Sequence, residues 1–139
     1  MNEKIINALQ SISQSLLFQL QRNDNDDIVL EVLKAYGNLT RCSKLRDSVL
    51  EDNKFQLFLR YTSSSDELIQ QAALGIYINA TGHSETLQTR LLNNSARKDF
   101  ILSHFLDLLR KTSIKSIESS TLICKVLDKT HNLIAITLL

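Results

Sequence analysis

The chain contains no proline and no tryptophan, and only three glycines and two cysteines, in 139 residues. Without proline, nothing forces a break inside a helical segment. Three glycines leave no glycine-rich loop able to cradle a phosphate. Cys42 and Cys124 stand far apart, so they read as free thiols in a reducing compartment rather than as a disulfide framework. Charge of one sign is also lacking: 16 basic residues face 15 acidic ones, for a net charge of +1. That balance gives no electrostatic case for nucleic acid or an anionic membrane. The densest basic group, Arg97, Lys98, Arg110 and Lys111, is interleaved with Asp99 and Asp107 and reads as a solvated helix face.

Other absences narrow the function. No apolar run reaches transmembrane length. The opening "MNEKIINALQSISQSLLFQLQRND" sets Glu3 beside Lys4 and has no small-residue cleavage site, so it is not read as a secretory signal. An intracellular, cytoplasmic setting is expected. His83, His104 and His131 have no histidine or cysteine at metal-ligand spacing and read as loop or surface residues. "DNDD" (24–27) lacks the glycine and distal glutamate of a calcium loop and reads as the acidic start of a helix. No serine or cysteine sits in a nucleophile motif. The expectation is a protein with no enzymatic activity, cofactor, metal or small-molecule substrate.

What is present is apolar periodicity. Apolar residues make up 43% of the chain. They recur three and four apart, as in Ile5, Ile6, Leu9, Leu16, Leu17 and Leu20, or Phe100, Ile101, Phe105, Leu108 and Leu109. Turn clusters such as "QRNDNDD" and "YTSSSDE" are short, and nothing alternates long enough for a strand. The fold class is all-α.

The periodicity has a longer period laid over it. Sliding the chain by 41 residues puts Leu33 on Leu74, Tyr36 on Tyr77, Asn38 on Asn79 and Thr40 on Thr81. A third, weaker copy, "LICKVLDKT" (122–130), matches "VLKAYGNLT" (32–40) and "ALGIYINAT" (73–81), with Asp128 in the asparagine position. Its spacing grows to 49, and the excess fits "NNSARKDF" (93–100) as an enlarged loop. Asn38-Leu39-Thr40 and Asn79-Ala80-Thr81 are therefore one structural position used twice, rather than two glycan acceptors.

Each unit reads as a short helix, a second helix and a longer third helix. In the best unit these fall near 43–51, 54–62 and 66–80, with Ser64 and Glu67 as a capping box and Ser84 as the next N-cap. The expected organisation is one domain: an incomplete first repeat (1–42), a second (43–82), a third with the enlarged loop (83–131) and an apolar tail (132–139). A unit this small cannot cover its own apolar face, so about three must stack. Tyr36 and Tyr77 share a register and are expected in the core between units.

This period and order resemble the armadillo repeat family, chiefly through "AYGNLT" and "SSSDELIQQAALGIYINAT", over about residues 16–130. The resemblance implies a short right-handed α-solenoid of armadillo or HEAT type. It also implies that Asn38 and Asn79, with Asp128 in altered form, face a concave groove and bond the backbone of an extended partner. Capping of their own helix ends is the alternative role. Peptide-reading armadillo proteins often carry tryptophan four residues earlier, where this chain has Lys34, Gly75 and Cys124, so nuclear-signal reading is not expected. The run "GNLTRCSKLRDSVLEDNKFQLFL" with "AALGIYINAT" is similar to armadillo repeats of the ciliary axoneme, which implies a scaffold or adaptor associated with radial spokes.

Two surfaces are candidates for protein partners in a larger assembly. The concave face would carry Glu31, Lys34, Asn38, Gln71, Asn79, Thr121 and Asp128, polar and mixed in sign. The C-terminal "HNLIAITLL" offers Leu133, Ile134, Ile136, Leu138 and Leu139, which fold back onto the last helix, meet another chain or a second copy, or mark the chain as a segment of a larger protein.

Overall fold

A computed structural model describes residues 2–48, 52–82, 95–112 and 118–126. Among these residues the chain is helical, with no strand. The helices are α1 (Glu3–Arg22), α2 (Asp26–Leu39), α3 (Ser43–Ser48), α4 (Asp52–Thr62), α5 (Glu67–Gly82) and α6 (Ser95–Thr112), followed by α7 at 118–126. No helix among the described residues is long and apolar enough to cross a membrane.

The helix starts are set by side chains that accept orphan backbone N–H groups. Asn2 Oδ1 accepts from the Lys4 N–H at 2.8 Å, opening α1. Asn25 Oδ1 accepts from the Asp27 N–H at 2.9 Å, so "DNDD" is the start of α2, with Asp26 and Asp27 in its first turn. At α5 the expected capping box is not what forms. Asp66 is the cap: its Oδ1 accepts from Leu68 N–H at 2.9 Å and Ile69 N–H at 3.1 Å. Ser64 Oγ instead accepts from Asp66 N–H at 3.1 Å, shaping the turn before the helix. A carboxylate next to the first helical residue outcompetes a hydroxyl two residues earlier because it adds charge to the same hydrogen bonds.

In "NNSARKDF", expected as an enlarged loop, the described residues are helical. Residues 95–100 are not part of a loop but the first turns of the 18-residue helix α6. Ala, Arg and Lys are strong helix formers, which favours helix over loop at these positions.

Helix α5 makes its most extensive contact with α2, and also packs against α4; α1 lies against α2, and the short α3 touches both α1 and α5. The buried positions recur with the sequence period. Leu33, Leu74 and Ile123 are all fully buried, and so are Tyr36, Tyr77 and Val126. One turn earlier, Val29, Gln70 and Ser119 are buried in the same register. The tyrosines therefore lie in the core, as their shared register predicts. The Tyr36 ring lies tilted on Phe58 with centroids 4.6 Å apart, and Tyr77 meets Phe105 edge-on at 5.6 Å. One contiguous cluster, including Leu20, Leu33, Phe58, Leu74, Ile76, Phe105 and Ile123, joins the helices. Burial pushes the Tyr77 phenol well above its ordinary range.

Candidate functional site

Side by side, α2 and α5 leave an open groove of about 380 Å³. Its walls are Leu33, Lys34, Gly37, Asn38 and Arg41 from the α2 side, and Ala72, Gly75, Ile78 and Asn79 from α5. Two of the three glycines stand here. A Cβ at Gly75 would meet nothing within 4 Å, and one at Gly37 would meet only Ile76 Cγ1 at 3.8 Å. The room comes from side chains that are absent, so a partner can approach the backbone.

The two asparagines occupy one sequence register but different settings. Asn79 is half-buried within α5, and its Nδ2 donates to Gly37 O at 3.0 Å and to Thr40 Oγ1 at 3.1 Å. The reason lies in how α2 ends. The Arg41 N–H, which would continue the helix to Gly37 O, bonds Asn38 O at 3.3 Å instead. Gly37 O is thus an orphan carbonyl of a helix terminus. The Thr40 hydroxyl donates to it at 2.6 Å, and the Asn79 amide supplies the second bond. Asn79 therefore caps a neighbouring helix, a role between the two weighed from sequence: it serves neither its own helix end nor, through its amide protons, a partner. Asn38 is exposed, and no hydrogen bond engages its side chain among the described residues.

The other expected residues distribute as follows. Lys34 Nζ pairs with Glu31 Oε1 at 3.2 Å, both groups largely in solvent, so the pair contributes at most about 1 kcal/mol. Lys34, Asn38 and Asn79 line the groove; Glu31 stands beside it through Lys34. Gln71 is half-buried and its Nε2 reaches Glu118 Oε2 of α7 at 3.4 Å. Thr121 is exposed on α7 and is not part of the groove wall. Asp128 and the tail residues Leu133, Ile134, Ile136, Leu138 and Leu139 lie outside the described residues, as do His83 and His131.

Sequence reasoning missed Arg41 and Gly37 as wall residues. Arg41 follows the end of α2 and is exposed, while the Arg46 side chain holds the backbone beneath it, with Nε donating to Thr40 O and Nη2 to Arg41 O. The signal available was position: both directly flank the Asn38-Leu39-Thr40 tripeptide.

No family model matches the chain, and comparison with curated proteins and with solved structures finds no match either.

A second polar cluster lies where α4, α5 and α6 meet. His104, expected on the surface, is half-buried, and its Nε2 lies 3.0 Å from Thr62 Oγ1. The Thr62 hydroxyl donates to Leu59 O at 2.6 Å, so it accepts from His104 and Nε2 carries the hydrogen. Gln70 Nε2 donates to Thr62 O at 2.9 Å. Burial holds the His104 imidazole below its ordinary range; nearby Asp107 acts upward and Lys111 downward. Thr62 is completely buried and its proton is committed to a backbone carbonyl, so the pair is a structural clasp rather than a nucleophile with its base. No cluster of three or more His, Cys, Asp or Glu side chains suited to a metal occurs among the described residues. Cys42 is half-buried and Cys124 exposed, both as free thiols.

Proposed function

We propose that this chain is a non-enzymatic scaffold that docks protein partners along the α2–α5 groove, and that its helices form a short right-handed solenoid of the armadillo type. The observation that carries the docking reading is the groove: an open cleft with uncovered helix backbone at Gly75 and, on its wall, the Asn38 side-chain amide, which no hydrogen bond engages among the described residues. An extended segment needs backbone-directed donors and space close to the helix surface, and both are present. The solenoid reading is supported by the recurrence of burial at Leu33, Leu74 and Ile123 and at Tyr36, Tyr77 and Val126. The repeat boundaries proposed with it are an incomplete unit at 1–42, a second at 43–82 and a third at 83–131.

The proposed setting is a ciliary axoneme, at the radial spokes, and it rests on the resemblance of "GNLTRCSKLRDSVLEDNKFQLFL" and "AALGIYINAT" to axonemal repeats. The test is a photo-crosslinking amino acid installed singly at Asn38, at Lys34 and, as a control, at exposed Ile12 of α1. A discrete crosslinked protein from the first two sites and not from Ile12 supports groove docking. Crosslinks from Ile12 alone refute it. A regulatory or transport module that reads free peptides is the competing reading. It predicts that the chain purifies from cells without a stable assembly.

A further inference from the structure

We infer that the segment the groove accepts is acidic, with Asp or Glu side chains engaging Lys34 and Arg41; this rests on the groove being the docking site. The lining contains two cations and no anion. Arg41 is exposed and its guanidinium makes no ion pair among the described residues. Among the described residues Lys34 is held only by Glu31, at 3.2 Å across an exposed helix turn. An exposed pair of that kind is nearly neutral in free energy, so an incoming carboxylate displaces it at little cost. A carboxylate laid in the groove meets Lys34 and Arg41 partly shielded from water by Leu33, Ala72 and Ile78, where charge-assisted hydrogen bonds are stronger.

The basic character is confined to the α2 side. On the far side of α5, Gln71 already bonds the carboxylate of Glu118. The acidic side chains of the segment therefore belong over α2, and its uncharged part over Ala72, Gly75 and Ile78. A nucleic-acid strand fits less well. Two cations beside an apolar wall, on a chain whose net charge is +1, do not make a polyanion track.

The test is fluorescence anisotropy of the full chain with three labelled peptides of about ten residues, alternating Ala with Glu, Lys or Gln. At ~3.3 Å per residue, that length spans both helices. The Glu peptide is expected to bind, and to weaken as salt is raised. Lys34→Gln and Arg41→Gln should each weaken it about tenfold. Lys34→Glu with Arg41→Glu should switch the preference to the Lys peptide. Both side chains are exposed, so these variants keep the wild-type melting temperature.

Gly75→Phe, which fills the groove, should abolish binding of every peptide. Loss with Gly75→Phe but equal binding of the Glu, Gln and Lys peptides overturns the acidic inference and leaves groove docking standing. Glu-peptide binding that survives Gly75→Phe overturns the groove itself. No Glu-peptide binding near physiological salt overturns the inference, as does displacement of that peptide by an equally charged single-stranded oligonucleotide.

Discussion

The ring of Tyr36 lies tilted against that of Phe58, centroids 4.6 Å apart, with the tyrosine fully buried and its hydroxyl making no hydrogen bond among the described residues. The ring is therefore an asset and the oxygen a liability. Tyr36→Ala is expected to cost about 3 kcal/mol or more. Tyr36→Phe removes an unsatisfied buried polar group and is expected to be neutral or to stabilise by up to about 1 kcal/mol. Urea melts of the pair check this. A loss above 1 kcal/mol for the phenylalanine variant would show that the hydroxyl has a partner.

Asn79 and Asn38 make a matched comparison, because sequence equates them and structure does not. Asn79→Ala strips Gly37 O of one of its bonds, and is expected to cost about 1–2 kcal/mol. Asn79→Asp sets a carboxylate against that carbonyl and should cost more. Asn38→Ala, at an exposed position, should stay within about 0.5 kcal/mol of the parent. Equal losses at the two sites would remove the cross-helix cap from consideration. Intact-mass analysis should find no glycan on Asn79, whose amide nitrogen is occupied.

His104 makes stability depend on pH in a definite direction. Burial lowers its folded-state pKa, so below the ordinary value near 6.5 the unfolded chain binds more protons than the folded one. This group leaves stability flat above about pH 6.5 and erodes it as pH falls through the folded pKa. Melting temperatures across that window should fall for the parent, and less so for His104→Gln. A parallel decline in both would assign the effect to other groups.

Gly75 sits in mid-helix with open space where a Cβ would project. Gly75→Ala should therefore stabilise the chain by about 0.5–1 kcal/mol by restricting the unfolded backbone. A melting temperature that stays the same or falls would mean that the groove closes over this position.

Much of this architecture could be read in advance because it depends on local rules. Apolar spacing decides which face of a helix is buried, and Tyr36 and Tyr77 followed from register alone. The misreadings have physical sources. Ser64 and Asp66 both suit an N-cap, and only their geometry relative to Leu68 and Ile69 decides between them. Residues 95–100 have helical propensity, but an insertion in a repeat suggests a loop. The Asn79 cap depends on which helix ends beside which, over 42 residues of chain, and no local pattern encodes that. His104 is held by a threonine hydroxyl, again 42 residues away, and carries no spacing signature at all.

The amide that closes the end of α2 belongs to a helix from the following stretch of chain, and this bears on how the protein opens. A helix end capped by its own residues frays independently. Here fraying of the last turn of α2 gives up the bonds from Asn79, so local opening there is tied to the seating of α5. Backbone hydrogens at Thr40, Arg41 and Cys42 should then exchange with solvent at rates set by larger, cooperative openings. Such a bond couples two helices distant in sequence: it makes the end of α2 and the seat of α5 gain and lose order together.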